Sequence, residues 1–148
     1  MNKDICYESF ECLEKFMYLA FKAAKVPDAD AKICAAVLIE SDKRGIDSHG
    51  VGRFKPISID RIKAGIQNPV TNFEIVRSTK TTAVVNGHDG MGHVIAVKSM
   101  KLAIAKAKKY GMGMVAVRNS THYGIAGYYP IMAAKENMIC FTGTNARP

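Results

Sequence analysis

The chain has 148 residues, 48% of them apolar, and a formal charge of +8 from 21 Lys and Arg against 13 Asp and Glu. That size and composition predict one globular domain, or one domain and part of another, and exclude a disordered or fibrous chain. No apolar run approaches the roughly 20 residues that a bilayer span needs, and the N-terminal MNKDICYESFECLEKF lacks the uniform apolar core of a signal peptide, so a cytoplasmic protein without membrane contact is expected.

In chain order, Ser9 precedes a helical stripe of Phe10, Leu13, Phe16, Met17, Ala20, Phe21 and Ala24, which Pro27 ends. A second helix is predicted from Asp28 or Asp30 to Arg44, with Gly45 as a left-handed terminator. GIDSHGVGRF (45–54) follows, and PISIDRIKAG predicts a short helix ending at Gly65. From there the period changes: NFEIVRS and TTAVVNG are β-prone runs around a polar connection and predict a hairpin.

The turn GHDGMG leads into a long amphipathic helix closed by Gly111, then a buried strand MVAVRN, a polar loop STHYG, a helix through YYPIMAAKEN and an apolar strand MICFTGT. Helices followed by a mixed α and β region without strict alternation define the class α+β. YGMGMV follows a helix and opens a strand, the reverse of a dinucleotide fingerprint, so the fold is expected to be non-Rossmann.

The lysines are scattered along amphipathic segments, and only Lys106, Lys108 and Lys109 cluster, at a helix end where cations suit the dipole. No nucleic-acid partner is expected. Cys6, Cys12, Cys34 and Cys140 have no C-x-x-C pair and no zinc-finger spacing, and read as reduced thiols.

Three constellations carry candidate chemistry. Asp47, Ser48, His49 and Arg53 share one glycine-studded run; if Asp47 or Ser48 caps a helix, His49 and Arg53 project from one face a turn apart. A histidine in an isolated S-H-G is equally at home as a polar residue at an exposed helix start. The second is NSTHYG (119–124), where His122 lies between a strand and a helix and is expected to feel that helix's N-terminus. The third, His88 and His93 with Asp89, has a five-residue separation that does not share a helical face and argues against a metal site.

Taken together, RGIDSHGVGRF, the run GHDGMGHVIAVKSMKLAIAKAKKYGMGMVAVRNSTHYGIAGYY and TGTNARP resemble the type-2 malate/L-lactate dehydrogenase family, non-Rossmann NAD(P)-dependent oxidoreductases that include malate, sulfolactate and ureidoglycolate dehydrogenases. The resemblance implies an enzyme that moves a hydride between NAD or NADP and a small 2-hydroxy or 2-oxo acid, malate or L-lactate foremost, and that works as a homodimer. It implies catalytic roles for His49 and His122, substrate contacts from Ser48 and Arg53, and cofactor contacts from His122, Thr144, Asn145 and Ala146, the last through backbone.

The resemblance also implies that the chain is the N-terminal part of a longer enzyme, with residues 1–120 an N-terminal helical, substrate-side domain and residues 121–148 the start of a cofactor-binding domain. Where many members carry Tyr four positions after the motif arginine, this chain has Ile57. The chemistry is consistent: an imidazole exchanges a hydroxyl proton near neutrality, and a guanidinium fork holds a carboxylate. Two rival readings are a non-catalytic basic binding module and a metal-dependent lyase or hydrolase built on His49, His88, His93 and His122.

Overall fold

The computed structural model describes residues 7–145. Helix α1 (Phe10–Ala23) is capped by the Ser9 hydroxyl, which accepts from the Cys12 amide at 3.1 Å. It packs on α2 (Asp28–Lys43) through Met17, Phe21, Cys34, Ala35, Leu38 and Ile39, all buried. Gly45, at φ +69°, follows the end of α2, as its sequence position predicts.

The condition for His49 and Arg53 to share a helical face, a helix capped by Asp47 or Ser48, is not met. Asp47–His49 forms one tight 3₁₀ turn, Gly50 interrupts it at ψ −140°, and α3 (Val51–Arg53) starts afresh. That helix runs through a π-helical turn (Phe54–Ile59) into α4 (Asp60–Lys63). His49 and Arg53 therefore do not lie on one helix. The wide turn is pinned by Phe54, whose ring meets Phe16 and Phe21 edge-on at 5.9 and 5.0 Å. Burying such a ring stabilises by roughly 1.5–3 kcal/mol.

The hairpin forms as expected: β1 (Glu74–Ser78) runs antiparallel to β2 (Thr82–Asn86). Helix α5 (Gly92–Tyr110), closed by Gly111 at φ +81°, then crosses over to β3 (Met114–Arg118), which pairs parallel to β2. The sheet order is β1-β2-β3 and the class is α+β. A short α6 (Tyr128–Ala134) places Tyr129 and Ala133 in the interior, with Tyr129 against Val37 and Val97.

Two strand expectations are corrected. β3 is mostly exposed, because among the described residues nothing covers its outer side. MICFTGT is not a strand: residues 138–145 have no regular structure, and Ile139 and Phe141 are 92% and 94% exposed. An extended segment is stabilised only by a neighbour's backbone groups, and among the described residues none pairs with this one.

The basic cluster is spent locally. Lys106 binds the Ser78 hydroxyl and the Thr79 carbonyl, Lys108 pairs with Glu136 at 2.6 Å and Lys109 lies over the Tyr110 ring. Cys12, Cys34 and Cys140 are free thiols, and Cys6 lies outside the described residues.

Candidate functional site

β2 and β3 end side by side, and the loops leaving them are laced together. The Gly87 amide donates to the Arg118 carbonyl at 3.0 Å, the Asp89 amide to the Asn119 carbonyl at 2.9 Å, and the Asn119 side-chain amide to Asn86 Oδ1 at 3.0 Å. His88, Asp89 and Asn119 all have positive φ, local strain of the kind that concentrates at functional sites. The crevice beyond the carboxyl ends of parallel strands is where α/β sheets place their ligands.

His122 emerges from this edge on a rigid loop. The Thr121 hydroxyl accepts from the Gly92 amide at 2.9 Å and donates to the Gly90 carbonyl at 2.7 Å, which fastens the loop to the start of α5. Past the histidine, the Tyr129 hydroxyl donates to the Tyr123 carbonyl and the two tyrosine rings stack at 5.1 Å. The Gly124 amide donates to His122 Nδ1 at 3.3 Å. That bond assigns the neutral ring its proton on Nε2.

His49 comes from the other half of the chain and stacks on His122, with ring centroids 5.7 Å apart and planes 23° from parallel. Its Nδ1 lies 2.9 Å from the Ser48 hydroxyl. The Arg53 Nε donates to the Ser48 carbonyl at 2.8 Å, so the guanidinium is tied to the same turn, and among the described residues its terminal nitrogens meet no hydrogen-bond partner. Ser48, His49, Arg53 and His122 thus gather at one place.

The electrostatics are cationic. Removal from water, and after it the positive potential of His49, Arg61 and Arg53, holds His122 down at about 4 against an ordinary 6.5. The expected influence of the following helix is replaced by these causes, because α6 does not begin until Tyr128. Behind His122 lies His93, fully buried, its ring edge-on at 6.0 Å and driven by burial to about 3.

Sequence reasoning missed Asp42 and Arg61, and considered His93 only as a metal ligand with His88. Asp42 Oδ2 accepts from the Val51 amide at 2.8 Å and caps α3 from nine residues upstream, and burial raises its carboxyl above the ordinary range. Arg61 stands eight positions after Arg53, about 80° off its face in a regular α-helix. The intervening π-helical turn absorbs roughly one residue, which carries Arg61 back toward that face. A wide turn has no sequence signature comparable to a cap or a terminator.

The other expected positions are placed elsewhere. His88 pairs with Glu74 at 2.6 Å at the surface while His93 is interior, so the proposed His88–His93 couple is divided. Among the described residues no cluster of three or more His, Cys, Asp or Glu could hold a metal ion, and no helix is long and apolar enough to cross a membrane. Thr144 and Asn145 lie in the exposed segment 138–145, where the Thr144 hydroxyl reaches only the Asn145 carbonyl; Ala146 lies outside the described residues. Ile57 is half-buried within the π-helical turn.

The residues present suit the reacting end of a nicotinamide group: a neutral Nε2–H donor beside a second imidazole matches an amide or a substrate oxygen. A phosphate does not fit the start of α5, because a Cβ on Gly92 would lie 2.4 Å from the Thr121 carbonyl oxygen and 2.3 Å from that of His122, so the amides there are already covered.

A family model described as malate/L-lactate dehydrogenase matches residues 9–148. The malate dehydrogenase of Pyrococcus abyssi is 52% identical over 122 residues, 82% of this chain and 33% of that protein. The L-sulfolactate dehydrogenase of Methanocaldococcus jannaschii is 45% identical over 135 residues, 91% of this chain and 39% of that protein. The crystal structure of malate dehydrogenase from Entamoeba histolytica matches with a TM-score of 0.87 at 49% identity, covering 88% of this chain and 36% of that one. The chain spans about a third of the length of these relatives.

Proposed function

Because the chain belongs to the malate/L-lactate dehydrogenase family, we propose that it forms the substrate and proton-transfer part of an NAD(P)-dependent dehydrogenase of small 2-hydroxy acids. The single observation that carries this reading is the stacked pair of His49 and His122 with Arg53 on the same turn. Relatives named malate and sulfolactate dehydrogenases support it.

Arg53 holds the substrate carboxylate with its terminal nitrogens, a planar acid meeting a planar fork, and so orients C2. When bound, the nicotinamide supplies the hydride acceptor. The C2 hydroxyl proton goes to His49 Nε2, since Nδ1 is engaged with Ser48. Ser48 accepts from that Nδ1–H, selects the tautomer and steadies the imidazolium as it forms. His122 stays neutral at physiological pH; its Nε2–H donates to the reacting oxygen or to the carboxamide of the cofactor and keeps proton traffic on His49.

Arg61 adds a second cation, and among the described residues no carboxylate pairs with it. A substrate with two acid groups, malate or sulfolactate, satisfies both guanidiniums where lactate satisfies one. The reading includes residues 1–120 as the substrate side and 121–148 as the start of the cofactor side, with Thr144, Asn145 and Ala146 contacting the cofactor. It also includes a homodimer in the cytoplasm, checked by sedimentation.

The deciding experiment follows NADH and NADPH absorbance with oxaloacetate, sulfopyruvate, pyruvate and cyclic imino acids, using this chain and any longer reading frame that contains it. Oxidation is expected with oxaloacetate or sulfopyruvate. No oxidation with any of them, together with nucleic-acid binding that weakens steeply with salt, would instead establish the basic binding module.

A further inference from the structure

The turn that carries Ser48, His49 and Arg53 has little apolar burial to hold it in shape. Asp47–His49 is a single 3₁₀ turn and α3 has only three residues, and no side chain in either is buried. Helices this short do not persist by themselves. Gly50 and Gly52 lie within the stretch, and of its two apolar neighbours Ile46 and Val51 only Val51 packs against the core. Something else must fix how the site side chains are presented.

Two consecutive residues at the end of α2 supply that constraint. The buried Ser41 hydroxyl donates to the Ile46 carbonyl at 2.7 Å, and the Ile46 amide donates to the Ser41 carbonyl at 2.9 Å. The same Ile46 carbonyl accepts from the His49 amide at 3.0 Å. At the far end Asp42 Oδ2 accepts from the Val51 amide at 2.8 Å. From there two bonds reach the guanidinium: the Arg53 amide donates to the Gly50 carbonyl at 2.9 Å, and the Arg53 Nε donates to the Ser48 carbonyl at 2.8 Å. The turn is thus held at both ends to one long helix.

Among the described residues no cation pairs with Asp42, and burial and the charge of Asp47 both oppose its ionisation; only the bond from the Val51 amide favours it. We propose that Asp42 is a positioning residue for Arg53: its cap at Val51 fixes where α3 starts and so holds the guanidinium against the Ser48 carbonyl, with the terminal nitrogens presented to a carboxylate. The use of that fork rests on the reading of Arg53 as the holder of the substrate acid; the chain of hydrogen bonds does not.

The test is nitrogen-resolved NMR of the exchange of the Arg53 Nε–H with solvent, which needs neither cofactor nor substrate. In the natural sequence that proton is expected to be protected, since the Ser48 carbonyl accepts it. Asp42→Ala is expected to speed its exchange about fivefold, the ratio that matches the loss of one helix cap. Asp42→Asn keeps a carbonyl oxygen for the Val51 amide and restores the protection. Ser9→Ala removes the cap of α1, a comparable loss on another element, and leaves the Arg53 proton unchanged.

Unchanged exchange in folded Asp42→Ala overturns the proposal. So does an equal rise in Ser9→Ala, which would report general loosening, and so does a rise in Asp42→Asn as large as that in Asp42→Ala. If Asp42→Ala does not fold, the natural chain decides in low urea: the Val51 amide and the Arg53 Nε–H opening together supports the proposal, and independent responses overturn it. Failure of the dehydrogenase reading appears separately, as missing turnover while the Arg53 proton stays protected.

Discussion

Asp42 occupies the space in which a side chain at position 50 would begin: a Cβ on Gly50 would fall 1.8 Å from Asp42 Oδ1. The same carboxylate caps α3 at the Val51 amide. Gly50→Ala is therefore expected to destabilise the fold by about 1–3 kcal/mol, the range for inserting atoms into packed space. Asp42→Ala alone removes a cap worth about 1 kcal/mol. Combined, the two substitutions cost less than their sum, because the second makes room for the first. Urea denaturation of the three variants measures this, and strict additivity would refute the overlap.

His49→Gln is expected to lower turnover by about 10²–10⁴, the usual weight of a positioned acid or base. His122→Asn keeps an N–H donor and loses less. Steady-state kinetics with the substrate identified by the absorbance panel separates them, and the assignment of roles fails if the losses are reversed.

Arg53→Lys keeps the charge and loses the fork. A drop in kcat/KM of about 10- to 100-fold is expected, matching the loss of one hydrogen bond to a charged group. Near-normal kinetics would remove Arg53 from the carboxylate.

Arg61→Gln is expected to discriminate between substrates. Efficiency with oxaloacetate or sulfopyruvate falls about 10-fold, the weight of one charge-assisted hydrogen bond, while efficiency with pyruvate is unchanged. An equal fall with pyruvate would show that Arg61 does not read a second acid group.

Stability should fall on mild acidification. His122 and His93 have folded-state values near 4 and 3, both below an ordinary 6.5. As pH drops below 6.5 the unfolded chain takes up protons that the folded chain refuses, so stability declines through that window and is unaffected by these groups above it. Asp42, raised by burial, acts in the opposite direction at lower pH. Urea midpoints at pH 7.5 and 5 test the sign, and His93→Phe should flatten the slope.

Much of this was legible in the chain itself. The apolar spacing from Phe10 to Ala24, the Ser9 cap, Gly45 and Gly111 placed the helices, because a helix closes its hydrogen bonds within four residues and carries its own boundaries. The hairpin of β1 and β2 was readable for a similar reason, its partners being neighbours in sequence. Both site histidines stood out as residue types in polar, glycine-bearing loops.

What was not legible depends on partners remote in sequence. MICFTGT has the composition of a strand, yet pairing makes a strand and none of the described residues supplies it. The stacking of His49 on His122, Asp42 beneath Gly50, the return of Arg61 through a wide turn and the burial of His93 behind His122 each join segments that local propensity treats separately. Sequence alone determined which candidate residue types the chain carries and where its main helices lie, since those follow from short-range spacing; packing decided which cations and rings share one small volume, because desolvation and Coulomb interaction act through space and not along the chain.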